Sequence, residues 1–173
     1  MQKVLLVTAL ILLAHVMAVA QWSDVGQLDT WGTTTITRMP KPGDSTYLIG
    51  MRTAKGPGYE RTVFEFDGVI PPFMVEYVKG PLFETTAERK IRVRGRYFIS
   101  VAFQGLPYPD DEKSPAGRLR TPRPTAGMTL LNEVKEIEWF EGTRDWVFGL
   151  NARKPFRIQV LTNPNRIVLD IKR

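Results

Sequence analysis

Short stretches of alternating apolar and polar residues follow one another along most of the chain. Their period of two is typical of β-strands with one buried face. The pattern predicts strands over residues 46–53, 61–68, 73–80, 89–105, 134–140, 145–151, 156–162 and 166–172. Turn-forming segments such as KGPGYE, NARKP and NPN separate many of these strands. We therefore expect an all-β fold, a small β-sandwich of about eight short strands.

The segment 129–142 is open to two interpretations. Leu130, Leu131, Val134 and Ile137 have the spacing of a short helix, whereas a strand can run from Val134 through Ile137 to Phe140. We favour the strand and keep one short helix as the alternative.

The longest strand pattern covers residues 89–105, and Gly95 within it indicates a bulge or bend. Residues 97–103 are apolar on both faces, which predicts a central strand. The last strand, residues 166–172, also has the composition of a core strand. A strand at a chain end stays ordered when it belongs to a sheet.

The first twenty residues have the layout of a secretory signal peptide. Lys3 precedes an apolar run over 4–17, and residues 18–20 supply a small-x-small cleavage site. An uncleaved signal anchor and a buried apolar helix are the alternatives. We expect an exported protein, in the periplasm, at the cell surface or secreted, with no transmembrane span after cleavage.

Two segments lack periodicity. Residues 21–45 are rich in Thr, Pro and Gly and predict a flexible lead-in, in which Trp22 or Trp31 is expected to dock on the domain. The domain itself is expected over residues 46–173. It contains a loop over 104–128 with five prolines and three glycines, and a loop of this length is typically functional or disordered.

The residue types present restrict the possible chemistry. The chain has no cysteine, and its single histidine is His15 in the predicted signal peptide. The remainder therefore lacks the residues for Ser-His-Asp or Cys-His catalysis and for ordinary zinc, copper or haem ligation. The PDDEK segment at 109–113 lacks the spaced ligands of a calcium loop. We expect no enzyme activity, no metal and no cofactor.

An acidic cluster in the predicted strand near residue 137 leaves one catalytic alternative open. Its members are Glu133, Glu136, Glu138 and Glu141. Two carboxylates about 5–9.5 Å apart can hydrolyse glycosides. Charges this dense on one segment are more typical of a solvated face.

The chain is basic, with 24 Lys and Arg against 18 Asp and Glu. A basic exported domain attracts polyanions. Arg92, Arg94 and Arg96, beside Arg89 and Lys90, would share one face of a strand and could bind phosphate or carboxylate groups. The alternative is a solvated face whose like charges discourage edge-to-edge aggregation.

Two tryptophans, Trp139 and Trp146, flank the FEGTRD turn. An indole face can stack on a sugar ring, but buried aromatic side chains are commoner. Both interpretations stay open, and the two tryptophans join the three arginines as candidate ligand-binding residues.

The stretches GYERTVFEFDG, VEYVKGPL and FEGTRDWVFGLNARKPFRIQVLTNPNRIVLDIKR resemble the AMIN-like family of exported bacterial proteins. The resemblance covers about residues 46–173. The matching motifs lie at residues 61–65, 140–142, 146–150, 154–156 and 164–170.

This resemblance implies a small β-sandwich outside the cytoplasm, similar to the AMIN modules that precede cell-wall amidases and secretin subunits. It implies no catalytic residues. We expect a non-catalytic envelope module that binds a cell-wall polymer, either peptidoglycan or an acidic polysaccharide, and no nucleic acid. The alternative partner is another envelope protein, bound by sheet-edge pairing.

Overall fold

Two packed antiparallel sheets and a small hairpin make up the fold in a computed structural model, which describes residues 24–40, 45–84 and 89–173. The strands are β1 (Ile36–Arg38), β2 (Leu48–Gly56), β3 (Tyr59–Phe66), β4 (Phe73–Val78), β5 (Leu82–Glu84), β6 (Arg89–Ile91), β7 (Tyr97–Phe103), β8 (Leu131–Phe140), β9 (Thr143–Leu150), β10 (Phe156–Leu161) and β11 (Asn165–Lys172). The predicted all-β sandwich is confirmed. The expected strand number of about eight was too low. The segment for which a short helix was the alternative is part of β8, as the favoured strand interpretation predicts.

The larger sheet has the order β1-β4-β7-β9-β8 and the smaller one β10-β11-β3-β2, while β5 and β6 pair with each other. β7 lies in the middle of the larger sheet, as its two apolar faces predict. The terminal strand β11 lies between β10 and β3, so it is an interior member of the smaller sheet.

Large aromatic side chains from both sheets fill the space between them. Phe64 of β3 meets Phe103 of β7 edge to face, with ring centroids 4.9 Å apart. Trp146 of β9 lies 6.0 Å from Phe64 and 5.9 Å from Phe103. All three side chains are fully buried. Edge-to-face contacts of this kind add to the stabilisation from apolar burial.

Residues 24–40, which fall in the predicted lead-in, pack along one side of the sandwich. Ile36 of β1 is buried in the core, and β1 pairs with β4. Gly32 and Phe156 of β10 exchange two backbone hydrogen bonds of 2.9 and 2.7 Å. This segment therefore connects the β1 edge of one sheet to the β10 edge of the other.

Trp31 docks on the domain, as the sequence predicts for one of the two early tryptophans. The guanidinium carbon of Arg157 lies 4.6 Å from the centroid of its ring. Trp22 and the predicted signal peptide lie outside the described residues. Within the described part of the chain, no helix is long and apolar enough to cross a membrane.

The loop over residues 104–128, which we call the Pro-rich loop, closes the opposite side of the sandwich, between β2 and β8. The Thr53 hydroxyl donates to the Arg123 carbonyl at 2.9 Å, and the Thr125 hydroxyl donates to the Thr53 carbonyl at 2.7 Å. The indole N–H of Trp146 donates to the Thr121 hydroxyl at 3.2 Å. These bonds fix the second half of the loop to β2 and to the core.

Glu60 of β3 fixes the end of this loop where β8 begins. Its side chain is almost fully buried, with 1% exposed. The carboxylate accepts the backbone N–H groups of Thr129, Leu130 and Leu131 at 2.7, 3.1 and 2.7 Å. Hydrogen bonds to a buried charge are among the stronger ones in proteins, so Glu60 joins the two sheets at this point.

Candidate ligand-binding surface

The three arginines predicted to share a strand face lie instead on a connecting segment. β6 ends at Ile91 and β7 begins at Tyr97, so the single long strand predicted over this region is wrong. All three arginines are exposed, and we call residues 92–96 the arginine segment. The segment turns because two glycines let it cross β9 at very short range.

Gly149 of β9 and Gly95 of the arginine segment make this crossing possible. A Cβ atom on Gly149 would lie 2.0 Å from the Arg94 carbonyl oxygen, and one on Gly95 would lie 2.6 Å from the Leu150 nitrogen. The Arg96 N–H donates to the Leu150 carbonyl at 2.7 Å. Only glycine fits such contacts, and Gly95 also has a positive φ of 150°.

Arg94 is held in place although its side chain is 77% exposed. Its backbone N–H donates to the Glu133 carboxylate at 2.7 Å, and its guanidinium Nη2 donates to the Asn132 carbonyl at 3.3 Å. The Nε atom lies 3.6 Å from the same carboxylate. The backbone bond thus fixes Arg94 to the start of β8, and the contacts with Asn132 and Glu133 orient its guanidinium.

A polar pocket of about 540 Å³ opens beside Arg94. The segment 121–128 of the Pro-rich loop forms one wall, and residues 131–134 of β8 form the other. Arg94 and Arg123 contribute two positive charges, and Glu133 contributes one negative charge. We call this the cationic pocket.

A second pocket of about 320 Å³ lies at the first half of the same loop. Its lining residues are Tyr47, Ile49, Asp67, Pro109, Asp110, Asp111, Ser114, Pro115 and Ala116. The walls are largely apolar and the charged groups are three carboxylates, so we call it the acidic cavity. The Pro-rich loop therefore builds two pockets of opposite charge.

The two candidate tryptophans have different environments. Trp146 is fully buried, so it is a core residue whose indole N–H positions the pocket loop. Trp139 is half-buried, and its indole stacks on Tyr108 with centroids 4.2 Å apart and an interplanar angle of 17°. The guanidinium carbon of Arg144 lies 3.8 Å from the Trp139 ring centroid. Little of the Trp139 face is left for a ligand.

Two members of the acidic cluster are held by arginines. Glu136 receives two hydrogen bonds from Arg144, at 2.7 and 3.0 Å, and Glu133 holds Arg94. The described residues contain no group of three or more His, Cys, Asp or Glu that could hold a metal ion.

One carboxyl of the larger sheet has unusual electrostatics. Asp145 of β9 pairs with Glu138 of β8 across the two strands. Burial, and then the nearby Glu138 carboxylate, raise the pKa of Asp145 to about 6. Its buried Oδ1 accepts no hydrogen bond from the described residues. Its cross-strand partner Glu138 lies five positions along β8 from Glu133, the residue that contacts Arg94.

A family model for the AMIN-like domain matches residues 46–173. The chain belongs to the AMIN-like domain family. No curated protein and no solved structure matches it. The resemblance inferred from the sequence is thereby confirmed, over the residues expected.

Two residues of the AMIN-like motifs form an ion network on the outer face of the smaller sheet. Arg61 donates to both carboxylate oxygens of Asp170, at 2.6 and 2.8 Å, and Arg157 donates to the same carboxylate at 3.1 Å. The hydrogen bond to Asp170 raises the pKa of Arg61 above its ordinary value. The Asp170 side chain is fully buried, so this part of the AMIN-like domain pattern has a structural role.

Three residues at or beside the two pockets escape sequence reasoning: Arg123, which lines the cationic pocket, and Lys55 and Tyr108, which lie next to the pockets. Lys55 Nζ lies 3.6 Å from the position of a Cβ on Gly127, beside the cationic pocket. Arg123 and Tyr108 lie in the loop, where no periodicity assigns a face to any side chain. The one sequence feature that indicated a site here was the length of the loop, which is typical of a functional or a disordered segment.

Proposed function

We propose that this AMIN-like domain is a non-catalytic, exported module that binds an acidic cell-wall polymer, peptidoglycan or an acidic polysaccharide, at the cationic pocket. One observation carries the proposal. Arg94 and Arg123 come from separate segments and line the same pocket, while Arg92 and Arg96 are exposed on the segment that carries Arg94. Arginine is well suited to carboxylate and phosphate groups because its planar donors match their oxygens.

Both walls of the pocket are fixed before any ligand arrives, which supports binding. Glu133 orients Arg94, and the bonds between Thr53 and Thr125 tie the loop to β2. A preorganised site loses less conformational entropy on binding than a mobile one. The excess of positive charge also attracts a polyanion from a distance.

A binding role rather than catalysis is supported by the residue types. Beyond the predicted signal peptide the chain offers neither histidine nor cysteine as a nucleophile or base. Export follows from that predicted signal peptide and places the domain where cell-wall polymer occurs.

The test is retention of the purified domain on isolated sacculi at about 0.1 M and about 1 M NaCl, between which the Debye length falls from roughly 10 to 3 Å. We expect strong retention only at low salt. The Arg94→Ala/Arg123→Ala variant should bind about tenfold more weakly, because two charge-assisted contacts are lost.

The matched control is Arg166→Ala/Lys172→Ala, which removes the same charge from β11 on the other sheet. It should bind within about twofold of the parent. Equal losses of binding in both variants would mean that net charge alone, and not the cationic pocket, causes retention. Unchanged binding of the Arg94→Ala/Arg123→Ala variant would refute the proposed site.

A second candidate function, strand addition by another envelope protein, is favoured by the free part of the β10 edge. The backbone groups of Phe156 point away from β11 and bond to Gly32. Every second residue of β10 therefore points its backbone N–H and C=O groups in the same outward direction. On this outward side, the backbone of Val160 forms no hydrogen bond with any other described residue. Its side chain is 36% exposed. Crosslinking in intact cells, compared with sacculus retention, separates the two functions.

A further inference from the structure

Tyr108 is an exposed aromatic side chain that the fold nevertheless holds in one orientation. It lies between Pro107 and Pro109, and 55% of it is exposed. One face of its ring lies on Trp139, and its hydroxyl donates to the Trp139 carbonyl. The other face is open. Exposed aromatic rings with few rotatable bonds are effective binding surfaces because ordering them costs little entropy.

The support beneath Tyr108 is itself rigid. The Trp139 indole N–H donates to the Leu106 carbonyl at 3.3 Å. Arg144 lies against the indole and is held by two hydrogen bonds to Glu136. Arg144 is almost fully buried, so the stack from Tyr108 to Arg144 is anchored in the larger sheet. The structure thus presents a fixed, flat apolar surface to solvent.

The acidic cavity begins at the next residue, Pro109. Its apolar walls include Tyr47 and Ile49, and its carboxylates belong to Asp67, Asp110 and Asp111. None of these three aspartates forms an ion pair with a cation of the described residues. The cavity therefore repels polyanions, while its carboxylate oxygens can accept hydrogen bonds from hydroxyl groups.

We propose that Tyr108 and the acidic cavity bind consecutive sugars of an uncharged glycan, with one pyranose ring stacked on Tyr108 and the next unit in the cavity. A sugar ring combines an apolar face with peripheral hydroxyl donors, and this site combines an aromatic face with carboxylate acceptors. The inference deepens the proposed wall-binding function. The cationic pocket binds the acidic groups of the polymer, and the Tyr108 surface binds its uncharged backbone.

The test uses a tetramer of N-acetylglucosamine, which carries no charge, with calorimetry and tryptophan emission as readouts. Binding should be nearly equal at about 0.1 M and 1 M NaCl and should shift the emission, because Trp139 lies under Tyr108. Tyr108→Ala should weaken binding about tenfold. Tyr108→Phe keeps the ring and should stay within about threefold.

Two further variants separate this inference from the proposed function. Arg94→Ala/Arg123→Ala should bind the tetramer as the parent does. Asp110→Ala, at an exposed position of the cavity, should bind it several-fold more weakly and keep the urea midpoint of the parent. This variant therefore tests the site even if Tyr108→Ala fails to fold. The inference is overturned if the parent does not bind the tetramer, or if both the Asp110→Ala and the Tyr108→Ala variants bind it as tightly as the parent does. If retention on sacculi were nevertheless salt-sensitive, the proposed function of the cationic pocket would still hold.

Discussion

Asp145 shows how one residue can make stability depend on pH. Its folded-state pKa of about 6 exceeds the ordinary value of 3.8, so folding favours the protonated carboxyl. Stability is therefore highest below the unfolded pKa and falls as the pH rises from about 4 to 6, where the folded protein must bury a charge. We expect Asp145→Asn to raise the free energy of unfolding at pH 7.5 by about 1–3 kcal/mol.

Urea denaturation at pH 4 and pH 7.5 checks this prediction. The gain from Asp145→Asn should be small at pH 4, which lies close to the ordinary pKa of 3.8 and well below the folded-state pKa of about 6, and large at pH 7.5. Glu138→Gln should give a smaller gain of the same sign, because burial is the first cause of the raised pKa and Glu138 the second. An equal effect of Asp145→Asn at both pH values would contradict the buried-charge explanation.

At the residue scale, the sequence predicts a side chain's environment only where a regular pattern continues past it. Trp146 is followed at period two by Phe148 and Leu150, which places all three on one buried face. Trp139 has no such continuation, because β8 is irregular between Glu136 and Glu138. The partners of Trp139, a loop tyrosine and a buried arginine, depend on tertiary contacts that no local pattern encodes.

At the element scale, the arginine segment shows a limit of periodicity. An alternating Arg-x-Arg-x-Arg sequence fits a strand and an extended connection equally well. What decides between them is the short contact of this segment with β9, which the sequence records only as Gly95 and Gly149. Gly95 was expected to mark a bend, and the bend separates two strands that belong to different sheets.

Gly149→Ala tests this contact. The new Cβ would lie 2.0 Å from the Arg94 carbonyl oxygen, so the arginine segment must move away from β9. We expect a loss of about 1–3 kcal/mol in the free energy of unfolding, typical of overpacking, together with weaker retention on sacculi because Arg94 is displaced. Urea denaturation and the sacculus assay measure the two effects.

Gly32→Ala is the matched control for this substitution. Its nearest atom to an added Cβ is the Thr34 hydroxyl at 3.7 Å, an ordinary contact distance. It should change stability by well under 1 kcal/mol and leave retention unchanged. If Gly149→Ala behaved like Gly32→Ala, the close crossing at β9 would not be what positions Arg94.

The Pro-rich loop illustrates what sequence reasoning at this scale leaves open. Its length and lack of period pointed to function or disorder. The contact that orders its second half joins Thr53 and Thr125, which are 72 positions apart. Two threonines at that separation carry no detectable signal in a single sequence, and the same holds for the three backbone bonds to Glu60. The position of the cationic pocket follows from these long-range contacts.

At the scale of the whole molecule, the sandwich has two closed sides. Residues 24–40 cover the side with β1 and β10, and the Pro-rich loop covers the side with β2 and β8. Both segments were expected to be irregular, and both turn out to protect sheet edges. Covered edges resist unwanted strand pairing. The ligand-binding surfaces proposed above lie on the loop side, and the uncovered part of the β10 edge, at Val160, lies on the other.

The interior position of β11 leads to the prediction with the largest expected effect. Removing residues 165–173 would leave β10 and β3 without their shared partner. It would also remove the buried side chains of Ile167, Leu169 and Ile171, and each is worth about 2–5 kcal/mol by analogy with truncation to alanine. The sum is comparable with the roughly 5–15 kcal/mol that stabilises a typical domain.

The truncated protein should therefore show no cooperative unfolding transition in urea and no near-ultraviolet circular dichroism signal from its buried tryptophan. Removing Asp170 with the strand adds to the loss, because Arg61 and Arg157 would keep their charges without their shared partner. Deletion of Arg173 alone is the control, since this residue is exposed and follows the strand, and it should shift the urea midpoint little. A cooperative transition near the parent's midpoint in the truncated protein would mean that β3 and β10 pair directly, and would remove β11 from the core of the fold.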